Sequence, residues 1–367
     1  MSQPPNKHRL SRWAAAIAIA VLAAVAGGVT GCGAAASGPP TQTIPRVTGR
    51  AVDATTGDGA RVSNNGTVET GVGTSTASTT TTVLPGTGKP TILLGDMNTP
   101  EQFILGQLYR LALRAEGYAV SLSRNIGPTS ISVEAMKEHS LDIYPEYLNV
   151  WDTSVADVHR PVRSVHDAYR VAQAYASRHK MTLLKPTPFS DTSGIAVLSS
   201  YAERHRVQSL RHMSRVARRL TFGGPLEFTQ GAGGLPTVER EYGFKPAATR
   251  EVAIGAQYAA LRSGTVQAVY VSTSDPQLSE PNFRVLADPE HVFGFGNVVP
   301  VVSDTALRAA GPQFARTINR VDALLTETAI RGLNAEVQVA HDDPEAVAEQ
   351  FLEGNGVLPA PVNSTTT

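Results

Sequence analysis

The stretch Leu141-Asp142-Ile143-Tyr144-Pro145-Glu146-Tyr147 gathers two acids and two tyrosines at the end of a short apolar run. That mix suits one chemistry. A desolvated ammonium is attracted to an aromatic face, and a neighbouring carboxylate supplies the opposing charge, so the segment reads as a surface for a soft organic cation. Catalytic motifs are missing. There is no GxSxG elbow, no HExxH, no GxxxxGK[ST] phosphate loop and no GxGxxG after a strand. The nine histidines are scattered. His291 falls in the turn Asp288-Pro289-Glu290-His291, and Asp304, Asp342 and Asp343 stand where acids cap helices. The chain reads as a binder, not an enzyme, and no cofactor is implied. A single cysteine in 367 residues leaves neither an internal disulfide nor a cysteine-built metal site.

That cysteine belongs to the leader. Lys7, His8, Arg9 and Arg12 form a basic head, Trp13 to Val25 is almost purely apolar, and Val29-Thr30-Gly31-Cys32 follows. The apolar core is short for a membrane span but suits a secretory signal. The segment resembles a bacterial lipobox, which implies cleavage after residue 31 and a lipid on Cys32. Residues 32–89 are rich in Thr, Gly, Ala and Ser, with four threonines at 79–82. Too little apolar surface is available there to offset chain entropy, so the segment reads as a disordered tether. Residues 359–367 read as a loose tail. The remaining stretch, about 270 residues, is long enough for a two-lobed core.

Charge excludes one partner class. Lys plus Arg and Asp plus Glu number 32 each, so no global field favours nucleic acid. The densest basic run, Arg204 to Arg219, reads as a solvated helix face or a contact with a permease or an anionic surface.

The elements that position the acidic stretch alternate. Thr91 to Gly95 reads as a strand. Thr99-Pro100-Glu101-Gln102 then opens a helix, with Thr99 as cap, Pro100 in the first position and Gln102 completing a capping box. Strands are expected at 118–123, 141–144, 182–185, 194–198, 220–221, 266–271, 283–286 and 298–302. Helices are expected after Thr129, from Ser164 to about 179, through the basic run, and at 236–242, 255–262, 312–329 and 344–353. Strands separated by helices argue for parallel sheets with helical cover. A faint repeat, 136–143 against 261–268, fits two similar lobes facing each other. Ligands in such sheets sit beyond the carboxyl ends of strands, which points to residues 96–102, 144–147 and 272–275.

The run from Gly95 through Asn98, Thr99 and Gln102 to Gly106 resembles the opening of osmoprotectant-binding proteins of ABC importers, the glycine betaine, carnitine and choline receptors of the ProX and OpuBC/OpuCC type. Residues 141–147, the Gly233-Gly234-Leu235-Pro236 to Phe244 segment, and Gly332-Leu333-Asn334 agree with it. The resemblance covers essentially residues 91–358. It implies an α/β type II periplasmic-binding fold, with lobe 1 at 90–188 and 299–358 and lobe 2 at 189–298. It also implies a ligand cleft between them, a permease and ATPase as partners, and a place on the outer face of the cytoplasmic membrane. The family surrounds a quaternary ammonium with tyrosines. By that resemblance the ligand contacts are Asn98, Thr99, Gln102, Thr129, Asp142, Tyr144, Glu146 and Tyr147 from one lobe, and Asp191, Thr192, Phe228 and Thr273 from the other. Ser193, Leu148-Asn149 and the loop Gly223 to Leu226 depart from the family pattern and leave a four-tyrosine cage incomplete. The same scaffold binding a less cationic molecule, or a lipid-anchored sensor or enzyme, is the alternative.

Overall fold

The computed structural model describes residues 83–158 and 162–359. The leader, Cys32, most of the tether and most of the tail lie outside the described residues. Ten strands build two five-stranded sheets. They are β1 Ile92–Gly95, β2 Val120–Ser123, β3 Ile143–Tyr147, β4 Met181–Leu183, β5 Ser193–Leu198, β6 Thr221–Gly224, β7 Ala248–Glu251, β8 Ala268–Ser272, β9 Phe283–Val285 and β10 Val298–Ser303. The first sheet runs β2-β1-β3-β10-β4 and the second β7-β6-β8-β5-β9.

Both sheets are mixed, where the alternation of elements had suggested parallel ones. β1 is parallel to β2 and β3, and β6 is parallel to β7 and β8. β10 runs antiparallel to β3 and β4, and β5 antiparallel to β8 and β9. The reason is connectivity. Parallel neighbours need a helical crossover within one sheet, whereas β5 and β10 each follow a crossing from one sheet to the other. The crossings are tied together. Asn297 Nδ2 donates to the carbonyls of Thr187 and Phe189 at 2.9 and 3.1 Å, and Asp191 N donates to Gly296 O at 2.9 Å.

Apolar residues cover both faces of each sheet, as strands with continuous apolar runs require. All six residues of β10 are buried. One face of the first sheet packs under helices Pro100–Ala115, Pro312–Asp322, Glu327–Gln338 and Pro344–Gly354. The other packs under Thr129–Lys137, Leu148–Ser154 and Val165–Arg178. Side chains alternate along a strand, so β3 serves both. Ile143 and Tyr147 face the first layer, while Tyr144 faces the second with Trp151.

Local signals set most boundaries. Thr99 Oγ1 accepts from Gln102 N at 3.3 Å, Ser164 caps Asp167, and Asp343 caps Glu345 and Ala346. The capping box is half made. Thr99 N–H is taken by Met97 O, and the Gln102 side chain turns inward instead of back. Three expectations fail. The helix expected over 312–329 is two helices, because Thr326 accepts from Ala329 N and starts a new one. The basic run is broken into Ser199–His205, Leu210–Met213 and a turn at Ala217–Arg219, with Arg206 left-handed at φ 53°. The strand expected at 141–144 is displaced and runs on through Pro145 to Tyr147, paired to β10.

Candidate functional site

Where the two sheets meet, a cavity of about 290 Å³ is lined from both sides. The first sheet and its helices contribute Thr99, Pro100, Glu101, Tyr147 and Gln338. The second contributes Asp191, Ile254, Gln257, Tyr270, Ser272, Ser274 and Asp275. Tyr147 arrives at the carboxyl end of β3, and Ser272 ends β8. Both follow from the rule that ligand sites lie beyond strand ends.

Three acids dominate. Glu101 is buried and accepts from Tyr147 Oη and Asn334 Nδ2, each at 2.8 Å. Burial first, and then the charge of Asp191, push its carboxyl up to about 7. Asp191 accepts from the Ser272 hydroxyl, and burial raises it to about 6. Asp275 accepts from Tyr258 Oη at 2.7 Å and from Gln257 Nε2 at 3.3 Å. Burial raises it too, while Arg331 pulls the other way. Asn334 also donates to Ser274 O at 3.1 Å, and Arg331 to Thr273 O at 2.6 Å, so helix Glu327–Gln338 bonds to the second sheet's loop as well as to Glu101. Acids that face one another while ionised repel, and a cation placed among them relieves both desolvation and repulsion. No Lys, Arg or His lines the cavity. Among the described residues no group of three or more His, Cys, Asp or Glu is placed to hold a metal ion.

Of the twelve residues expected to contact ligand, the structure brings Thr99, Tyr147 and Asp191 to this cavity. Asn98 is exposed just before Thr99. Phe228 is buried behind Tyr270, with ring centroids 4.8 Å apart. Thr192 N donates to Thr273 Oγ1 at 2.9 Å, and that hydroxyl donates to Ser190 O at 2.7 Å, so these two threonines brace the crossing. Asp142 Oδ2 accepts from Leu93 N at 2.9 Å and holds β3 to β1. Tyr144 and Glu146 lie on the opposite face of β3 from Tyr147, both fully buried. Glu146 Oε1 accepts from Tyr147 N at 2.8 Å, and the Thr129 and Tyr144 hydroxyls lie alongside its carboxyl. Gln102 is buried with its amide alongside the Tyr147 hydroxyl. Trp151 is buried in the same layer as Tyr144, edge-on to Tyr175.

Glu101, Tyr270 and Asn334 were not among the expected ligand contacts, although Glu101 and Asn334 fall within the segments that carry the family likeness. Glu101 looks like an ordinary first-turn acid. Tyr270 sits inside an apolar strand, Ala268–Ser272, where a tyrosine is unremarkable.

Residues 90–354 match the family model for the substrate-binding domain of ABC-type glycine betaine transport systems. The chain belongs to that family. This is a family of solute-binding transport proteins, and its members act with a membrane permease and ATPase. The chain is 27% identical over 277 residues to the glycine betaine-binding protein YehZ of Escherichia coli K12, covering 72% of this chain and 90% of that protein. It is 28% identical over 282 residues to a glycine-betaine-binding protein of Pseudomonas aeruginosa, covering 73% and 89%. A crystal structure described as a glycine betaine/carnitine/choline ABC transporter superposes with a TM-score of 0.68 at 20% identity, covering 72% of this chain and 99% of that one. The last likeness carries the fold alone, two α/β lobes around a cleft, as the family's members have.

Proposed function

We propose that this chain captures a small quaternary or related organic cation, of the glycine betaine, choline and carnitine class, between its lobes and delivers it to an ABC permease. One observation carries this reading. Glu101 and Tyr147 from one lobe, and Asp191 and Tyr270 from the other, converge on one cavity that contains no basic side chain. A ligand held by groups from both halves stabilises the closed arrangement by its differential affinity for it, and hinge closure about two crossing segments is a common form of such motion. The chain performs no turnover in this reading, since the cavity holds acids and hydroxyls but no nucleophile–base pair. The lipobox-like segment at Cys32 supports tethering to the outer face of the membrane.

Titration calorimetry on the purified full chain with glycine betaine, choline and carnitine tests the ligand class. Heat of binding is expected for at least one of them, abolished or weakened at least tenfold by Tyr270→Ala. Absence of binding for all three removes the ligand assignment. Retained uptake in cells lacking the chain removes the delivery role.

A further inference from the structure

We infer that the cavity selects a ligand with net positive charge and no carboxylate, preferring a monocation such as choline over a zwitterion of similar size such as glycine betaine. The inference rests on the cation-capture reading above and narrows it. Its basis is a local imbalance of charge. Three carboxylates, Glu101, Asp191 and Asp275, line the cavity, and the Arg331 guanidinium acts on Asp275. Arg331 is committed to Asp275, to the Thr273 carbonyl at 2.6 Å and to Glu327 at 3.4 Å. Glu101 and Asp191 are left with neutral partners only: Tyr147 and Asn334 for the first, Ser272 and Ser274 for the second.

A zwitterion would need a place for its own carboxylate. The start of helix Pro100–Ala115 is where an anion would be expected, because free N–H groups and the dipole gather at a helix start. Here most of that position is already used. Pro100 has no N–H, the Gln102 N–H goes to Thr99 Oγ1 and the Phe103 N–H goes to Thr99 O, which leaves the Glu101 N–H. The Glu101 carboxylate already stands in the first turn. A ligand carboxylate brought into about 290 Å³ therefore meets three like charges, with only neutral hydroxyl and amide groups to offset them. A hydroxyl or N–H on the ligand meets acceptors instead, because an ionised carboxylate accepts and never donates.

The test compares two ligands that share a trimethylammonium head. Calorimetry on the full chain at pH 8 is expected to give choline at least tenfold tighter binding than glycine betaine. Asp191→Asn, checked for folding by thermal melt, is expected to narrow that ratio at least fivefold by weakening choline. The wild-type ratio alone decides the sign, so an unfolded variant leaves the proposal open to refutation. Glycine betaine binding as tightly as choline, or tighter, overturns the charge rule while the cation pocket stands. Failure of choline, betaine and carnitine alike overturns both.

Discussion

Two tyrosine–carboxylate pairs meet at strand β3, and they do opposite work. Tyr144 and Glu146 stand on one face of β3, sealed in the layer that holds Trp151, Met136 and Leu148. Tyr147, three residues on from Tyr144, points to the other face and donates to Glu101 in the cleft. Both carboxyls, Glu146 and Glu101, are raised to about 7, and burial is the largest cause in each. The second cause differs. Glu101 also feels Asp191 across the cavity, a repulsion that a bound cation can relieve. Glu146 feels only hydrogen bonds that favour its ionised form. Identical residue types and similar titration thus mark a structural pair in one case and a ligand-facing pair in the other. The parity of the strand decides which is which.

The contrast breaks most easily at the sealed pair. Tyr144→Ala empties a fully buried aromatic site and should cost about 3–5 kcal/mol of unfolding free energy, as large-to-small core substitutions do. Chemical denaturation measures it. Whatever fraction still folds should bind choline as the parent does. A variant that keeps its stability but loses binding would place Tyr144 in the cleft and dissolve the distinction.

Glu146→Gln sharpens the same contrast through pH. A carboxyl raised from 4.5 to about 7 holds its proton in the folded chain at pH values where the unfolded chain has lost it. Stability contributed by that group therefore declines as pH rises from about 4.5 through 7. Removing the charge should make the variant more stable than the parent at pH 8 by on the order of 1–3 kcal/mol, with little difference near pH 4.5. Urea unfolding of both proteins at the two pH values checks this. Parallel pH profiles would mean that Glu146 reaches solvent.

How far the sequence foretold this arrangement follows from the same parity. Helix starts were readable at Thr99, Ser164 and Asp343 because a cap is a local device, satisfied within three residues. The sheet partners of β3 were not, because the strand pairs Tyr147 with the distant Val298. Without that pairing the expected strand ends at Tyr144, which leaves Pro145, Glu146 and Tyr147 together on a loop facing ligand. Once Pro145 opposes Pro300, alternation sends Tyr144 and Glu146 inward. Asp191 and Thr99 were identified through family likeness. Glu101 and Asn334 lie within segments of that likeness but were given no ligand role, because the contact between them joins residues 233 apart. The edge strand Ala248–Glu251 was invisible for another reason. All four of its residues are exposed, so no apolar period marks it.

The finest probe is a matched pair of hydroxyl deletions. Tyr144 Oη lies beside the Glu146 carboxyl inside the sealed layer, while Tyr147 Oη donates to Glu101 in the cleft at 2.8 Å. Deleting either hydroxyl takes a donor from a buried carboxyl, but only the second carboxyl faces ligand. Tyr144→Phe should cost about 0.5–1.5 kcal/mol of stability and leave affinity within about 0.5 kcal/mol of the parent. Tyr147→Phe strips Glu101 of a donor that favours its ionised form, so the Glu101 pKa rises further. A cation binds the ionised site, so ligand affinity should climb between pH 5 and 8 in the parent as protons are released. In Tyr147→Phe that climb should shift to higher pH, with affinity at pH 7 lower by about 0.5–1.5 kcal/mol. Calorimetry in two buffers of different ionisation enthalpy counts the released protons. If both variants shift the binding profile equally, the two faces of β3 share one site, and the separation of a structural pair from a ligand pair fails.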